Sequence, residues 1–349
     1  MNANAKLNVA VLGASGYTGA ELIRLLVTHP GIRIAALTAD RRAGESLGAV
    51  YPHLAHLALP DLVAIEDVDW SGIDAVFCCL PHGTTQEVIA GLPQHVKIVD
   101  LSADFRLYDG ATYATWYGHE HRAPELQKSA VYGLTEVKRA QVKAARLVAN
   151  PGCYTTTAEL PLIPCLAEGL IEADGIIIDA KSGVSGAGRS AKEANLHTEV
   201  SEGIHAYGIA SHRHTPEIEQ ELSEAAGTAI TVTFTPHLMP MNRGILATTY
   251  VRMKDGVSAE DLRGALARAY EGEPFARLVP QGQAPATRHV RGSNLCLMGV
   301  FADRVPGRAI LVSALDNLVK GASGQALQNL NVMAGFEETM GLPQVAVFP

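Results

Sequence analysis

Residues 7–39, LNVAVLGASGYTGAELIRLLVTHPGIRIAALTA, restrict the fold more than any other stretch of the chain. A short apolar, β-branched run reads as a buried strand, and Gly13, Gly16 and Gly19 follow it in a GxxGxxG turn. Leu22, Leu25 and Leu26 recur at helical spacing, Pro30 and Gly31 stop the helix, and IRIAALTA resumes as a strand. Strand, glycine turn, helix and strand in that order open a doubly wound parallel sheet. The glycines let backbone approach a pyrophosphate, whose charge the helix N-terminus stabilises. Ser15, Tyr17 and Thr18 share this turn and are candidate cofactor contacts alongside the three glycines. After the second strand, Asp40 suits a ribose 2′-hydroxyl, whereas the adjacent Arg41 and Arg42 suit a 2′-phosphate. The two guanidiniums favour NADP(H) as the cofactor, and Asp40 keeps NAD open.

The alternation continues through DAVFCCLP (74–81), a helix-like TTQEVIAGL and the strand VKIVDLSA, and ends near Asn150. Beyond that point the texture changes. GIIIDAKSGVSGAG is a strand entering a glycine-serine loop, and AITVTFTPHLMPMNRGILATTYVRM holds two β-rich segments split by Pro-Met-Asn-Arg. SAEDLRGALARAYEG is a helix with Ser258 as N-cap and Asp261 three residues on. NLCLMGVFADRVPGRAILVSAL reads as a hairpin, and the tail DNLVKGASGQALQNLNVMAGF as one helix of apolar positions and small residues. The fold class is α/β: a Rossmann-type doubly wound parallel sheet over 1–150, plus an α+β catalytic domain over 151–315 with a mostly antiparallel sheet.

A length of 349 residues suits about two domains. The net charge of −8, with both signs interspersed, leaves no basic footprint for nucleic acid and no polybasic membrane patch. No apolar run nears the ~20 residues of a membrane span, and the opening MNANAKLNVAVLGASG lacks a signal core. Five cysteines, an odd number with no CxxC pair, point to reduced thiols in the cytoplasm and away from a metal site.

One cysteine stands apart. In VANPGCYTTTAELPLIP, Cys153 follows the tight turn Asn150-Pro151-Gly152 and opens a helix-like run. A helix N-terminus confers thiolate character, and its free N–H groups suit an oxyanion formed once the sulfur attacks a carbonyl. Cys78, Cys79, Cys165 and Cys296 sit inside apolar runs and read as core residues. Acid/base partners are sought in ASHRHTPEIEQEL, where His212, Arg213 and His214 precede Thr215 as an N-cap, Pro216 and the first-turn acid Glu217, a residue placed to orient an imidazole. No third ligand accompanies His-x-His, so a metal pair is disfavoured. For an acidic substrate the candidate arginines are Arg106, Arg189, Arg213 and Arg243; Arg106 follows a strand in the half where open α/β sheets place ligands.

With GASGYTGAEL, DLSADFRL, NPGCY, KSGVSGAGR, HRHTPEIEQ, MPMNRG and NLVKGASGQALQNLN in this order over residues 9–331, the chain resembles the N-acetyl-γ-glutamyl-phosphate reductases, relatives of aspartate-semialdehyde dehydrogenase. YTTTA departs from that family's usual Tyr-Pro-Thr-Gly/Ala after the cysteine. The resemblance implies NADPH-dependent reduction of an acyl phosphate to a semialdehyde and phosphate in arginine biosynthesis. It implies Cys153 as nucleophile, His212 as general acid/base, and Ser182, Gly183 and Asn317 near the cofactor. It also implies a C-terminal helix, 316–349, that completes the cofactor domain, and a homo-oligomer, tetramer or dimer. Spacing alone does not separate His212 from His214. A related acyl-phosphate reductase, on the aspartate or the carrier-linked lysine branch, shares this chemistry. A non-catalytic NADP-binding regulator is the rival from another class.

Overall fold

The computed structural model describes residues 6–349, so the reading of the N-terminus as free of an export signal rests partly on 1–5, outside the described residues. The chain forms two compact units, Met1–Pro151 with Ala322–Leu342, and Gly152–Gly321 with Pro343–Pro349.

In the first unit seven strands, β1 (Leu7–Leu12), β2 (Ile32–Thr38), β3 (Leu62–Val63), β4 (Ala75–Cys78), β5 (Lys97–Asp100), β6 (Val131–Tyr132) and β7 (Leu147–Ala149), lie in the order β3-β2-β1-β4-β5-β7-β6. Every pair is parallel. Helices α1 (Tyr17–Leu26), α2 (Leu47–Val50), α3 (Thr85–Ala90), α4 (Gly110–Tyr117), α5 (Pro124–Gln127) and α6 (Thr135–Ala144) connect them. Val9–Leu12 and Ala75–Cys78 are buried throughout, which is why both read as unbroken apolar runs rather than alternating ones. Strand order reverses between β1 and β4, so the glycine turn after β1 sits at the topological switch point.

The tail does not run as one helix. Val319–Ser323 is a π turn, and a regular helix follows over Gly324–Ala334. Asp316 explains the break: its carboxylate accepts the N–H groups of Leu318, Val319 and Gly292, holding that end within the second unit. Past the helix, Asn294 N–H to Pro343 O and Val347 N–H to Arg291 O return the last residues there too. The helix itself buries polar side chains that the small-residue pattern hides. Gln325 donates to Gly133 O, Asn329 donates to Asn150 Oδ1 and accepts from Thr135, and Gln328 reaches Glu136 and Glu338. Gly133 has no alternative, since a Cβ there would lie 2.6 Å from the Asn329 amide.

The second unit begins with α7 (Cys153–Ala167) and continues through β8 (Ile176–Gly183), α8 (His197–Val200), β9 (His205–Ala206), α9 (Thr215–Ala226), β10 (Val232–Met239), β11 (Ile245–Arg252), α10 (Ala259–Ala269), β12 (Ala276–Leu278), β13 (Cys296–Ala302) and β14 (Arg308–Leu315). Its sheet runs β12-β13-β14-β11-β8-β10-β9, antiparallel except at β12–β13 and β8–β10. β8 separates β10 from β11, so the Pro-Met-Asn-Arg turn crosses the end of β8 instead of closing a hairpin. The crossing passes over Gly183, where a Cβ would meet Asn242 at 2.7 Å. Ser258 caps α10 in a reciprocal capping box with Asp261.

Helix α7 packs against α9, α10, β11 and β14, and its residues Tyr154–Leu166 are all buried. Pro161 and Pro164 lie inside it, and each removes the N–H that would bond the carbonyl four residues back. Both stranded carbonyls are answered from neighbouring elements: Ser313 Oγ donates to Thr157 O at 2.7 Å, and the Tyr270 hydroxyl to Leu160 O at 2.6 Å.

Two outcomes follow for stability. Tyr270→Phe leaves Leu160 O buried without its donor and is expected to lower the urea-unfolding free energy by about 1–3 kcal/mol; an unchanged midpoint would refute this account of α7. In the first unit, Gly31 N–H donates to His29 Nδ1 and His29 Nε2 bonds Asn331 Oδ1, so a second ring proton would oppose the Gly31 N–H. Burial lowers the His29 pKa from the ordinary imidazole value of 6.5. The sign follows: the neutral ring's contribution is complete above the unfolded pKa and is lost as pH falls below about 6.5. Unfolding titrations at pH 7 and pH 5 should show a smaller acid loss in His29→Gln than in the parent.

Candidate active site

Cys153 is the first residue of α7 and is half-buried, unlike Cys78, Cys165 and Cys296, which are sealed in the core. Burial pushes the thiols of Cys79 and Cys165 up to about 12 and raises that of Cys78 well above the usual thiol range. Gly152, the N-cap, carries no side chain to satisfy the helix start. Glu217 supplies the bond from α9: its Oε1 accepts the Gly152 N–H at 2.8 Å and the Thr155 hydroxyl at 2.9 Å. Behind the cysteine, a Cβ on Gly321 would lie 2.8 Å from the Cys153 Cβ, so the glycine of KGASG is required for close packing.

Helix α9 starts at Thr215 itself, one residue earlier than the N-cap role read for Thr215 implies, and His214 takes the flanking position without a side-chain cap bond. The preceding loop presents both imidazoles to an aromatic group. His212 lies edge-on to Tyr154, Tyr207 and Phe234 with centroids 5.4–5.5 Å apart, and 4.8 Å from His214. His214 approaches the Tyr154 ring at 5.9 Å. The Tyr207 hydroxyl donates to that of Tyr154 at 3.0 Å, and Tyr154 donates to His237 O at 3.3 Å. Burial raises both tyrosines, Tyr207 to about 12, with charge on the nearby Cys153 adding to the effect. Burial first, and Arg213 second, lower the His212 pKa to about 4. His212 Nδ1 accepts the His214 N–H at 3.1 Å, which places the proton of the neutral ring on Nε2. His212 is therefore a neutral hydrogen-bond donor at pH 7.

The structure thus gathers Cys153, His212, His214, Glu217 and Ser182, whose hydroxyl bonds Tyr154, within the second unit. Asn317 is buried there, accepting from Gly244 N–H and donating to Ser185. Arg243 reaches buried Asp316 at 3.7 Å, whereas Arg189 and Arg213 are exposed. Tyr207 and Phe234 lie far from the cysteine in sequence and carry no motif. Tyr154 had a signal, being the residue next to Cys153.

In the first unit, the residues of the glycine turn fit a dinucleotide. Gly13 has φ +77°, and a Cβ there would lie 2.4 Å from Cys79 O; one on Gly19 would lie 2.5 Å from Gly13 O. Gly16, by contrast, opens outward, with only Gly13 O at 3.5 Å, and caps α1 without a side-chain bond. The start of α1 is thus left to an anion. Tyr51, absent from the sequence reading, fastens the turn by donating to Ser15 O and Gly16 O, and Thr18 bonds the Cys79 thiol. Tyr17 and Arg41 are exposed, whereas Arg42 pairs with Glu45 at 2.6 Å. Arg106 is buried and donates to Leu101 O. Nearby, burial pushes Asp100 up to about 7, and Asp104 accepts from Gly83, Thr85 and Tyr113.

Comparison with known proteins agrees with this division. Residues 8–145 match the family described as semialdehyde dehydrogenase, NAD binding domain, and residues 153–317 match its dimerisation domain. The chain is 64% identical over 349 residues to an N-acetyl-gamma-glutamyl-phosphate reductase of Rhodospirillum rubrum, covering 99% of each. It is 63% identical over 344 residues to a probable chloroplastic enzyme of that name from Oryza sativa subsp. japonica, covering 99% of this chain and 83% of the relative. The fold also matches aspartate semialdehyde dehydrogenase II of Vibrio cholerae, with a TM-score of 0.69 at 19% identity over 95% of this chain and 98% of that one. A Candida albicans aspartate semialdehyde dehydrogenase solved with NADP gives 0.66 at 18% identity over 95% and 99%. By sequence, the chain belongs to the N-acetyl-γ-glutamyl-phosphate reductases of the semialdehyde dehydrogenase family.

Proposed function

We propose that the chain reduces N-acetyl-γ-glutamyl phosphate to N-acetylglutamate γ-semialdehyde and phosphate, in arginine biosynthesis, through a thioester on Cys153. The observation that carries this reading is a half-buried cysteine at the start of a long buried helix, followed by Tyr154 whose ring packs against two imidazoles, in a chain so close to reductases of that name. The Cys153 thiolate attacks the acyl carbon, and the carbonyl electrons move to oxygen. Backbone N–H groups at the start of α7 are the donors proposed for that oxyanion. Its collapse expels phosphate and leaves the thioester. When bound, NADPH supplies the hydride that takes the thioester to the aldehyde level. Collapse of the resulting thiohemiacetal releases the aldehyde and returns the thiolate.

The glycine turn of Gly13, Ser15, Gly16, Tyr17, Thr18 and Gly19, with Arg41 and Arg42, is proposed to hold NADP(H); Ser182, Gly183 and Asn317 are proposed to contact it. Arg106, Arg189, Arg213 and Arg243 remain the proposed substrate arginines. His212, neutral with its proton on Nε2, acts as a hydrogen-bond donor to the reacting oxygen, and His214 moves the proton. A homo-oligomer built through the dimerisation domain, as dimer or tetramer, is the proposed assembly, and the cytoplasm its proposed location. No helix among the described residues is long and apolar enough to cross a membrane.

The reading is tested by phosphate-dependent oxidation of N-acetylglutamate semialdehyde with NADP. Cys153→Ser should keep NADPH binding and lose turnover by several decades, because a hydroxyl has far less anion character at neutral pH. Turnover surviving in that variant rejects the covalent route. His214→Asn should cost about 10²–10⁴ in kcat/KM. His212→Gln, which retains an N–H donor, should lose less than about tenfold, and the reverse order would return proton transfer to His212.

A further inference from the structure

We infer that Glu217 is a positioning residue for the nucleophile, acting through the backbone of Gly152; the inference rests on Cys153 being the nucleophile proposed above. Most N-caps satisfy the helix start with their own side chain. Gly152 has none, and a carboxylate from a different helix takes that place, binding the Gly152 N–H and the hydroxyl of Thr155 in the first turn of α7. Glu217 is 1% exposed and itself lies in the first turn of α9. One carboxylate therefore locks the starts of two helices together. The first begins with Cys153, and the second directly follows the loop carrying His212 and His214.

The same bonds have an electrostatic consequence. A helix N-terminus favours a thiolate, but a carboxylate bonded to the preceding residue opposes it. Glu217 thus fixes where the sulfur sits at some cost in acidity. The other charged or titratable groups around Cys153 are Tyr154 on α7 and Tyr207, His212, Arg213 and His214 in the loop before α9. Asp316, Arg243 and Lys320 belong to the segments around Gly321, which touches the cysteine. Glutamine at 217 keeps an acceptor oxygen for the Gly152 N–H while removing the charge.

Iodoacetamide alkylation of Cys153 across pH, run beside steady-state turnover, separates the two effects. Glu217→Gln should move the alkylation midpoint down by about half a unit to one unit, with turnover within about tenfold of the parent. Glu217→Ala should retain NADPH binding and lose about 10²-fold in kcat with little change in KM. A parent-like kcat in Glu217→Ala, or a midpoint in Glu217→Gln that stays or rises, overturns the inference. If the alanine variant folds poorly, the glutamine midpoint decides alone. A parent protein whose Cys153 neither alkylates nor turns over overturns the nucleophile assignment and this inference together, whereas a reactive parent with indifferent variants overturns only the role of Glu217.

Discussion

A helix with no solvent-facing side must have every backbone polar group answered inside the protein, and the second unit is organised around meeting that demand for α7. At its interior, two prolines strand the carbonyls of Thr157 and Leu160, and hydroxyls from Ser313 and Tyr270 meet them. At its start, a glycine cap is completed by Glu217. The donors come from β14, from the residue following α10 and from α9, so satisfying one helix fixes the placement of three elements around it. Cys153 inherits this rigidity because it is the first residue of that helix. A cysteine held by packing needs little of the ordering that a loop cysteine would require on binding.

The first unit meets a different constraint with the same economy of side chains. Gly13 and Gly19 are glycines because backbone occupies the space of their Cβ atoms, whereas Gly16 is a glycine whose open side faces nothing nearby. Two of the three are therefore explained by packing, and packing does not explain the middle one. Tyr51 then stops the open part of the turn from moving by bonding two successive carbonyls. The spacing alone could not divide these roles, since all three positions look equivalent as letters.

What was legible in the sequence was periodic or punctuated. The parallel sheet, the capping box at Ser258 and the β13–β14 hairpin each rest on local residues within one element. Three features were not legible. β8 inserts between β10 and β11, a non-local pairing that no turn residue announces. The tail buries Gln325, Gln328, Asn329 and Asn331; the amides of Gln325 and Asn329 satisfy Gly133 and Asn150, remote in sequence, and those of Gln328 and Asn331 bond Glu136, Glu338 and Met340, so polarity there did not mean exposure. Around the cysteine, Tyr207 and Phe234 joined the histidines through folding alone, and the environment rather than the motif decided that His212 is neutral.

That neutrality constrains the chemistry. A thiolate can be stabilised by an adjacent imidazolium, but His212 cannot serve, because burial and Arg213 both resist a second ring proton. Its Nδ1 is in any case occupied by the His214 N–H, so protonation there would also break a bond that shapes the loop. In the proposed reaction the N–H groups at the start of α7 stabilise the sulfur, with the carboxylate of Glu217 set against them. Such a balance keeps the thiol from being so acidic that it becomes a poor nucleophile, since nucleophilicity falls with pKa. A sulfur that must both attack an acyl phosphate and later leave from a thiohemiacetal is served by an intermediate acidity, and two opposing charges fixed to one turn of backbone are a direct way to set it.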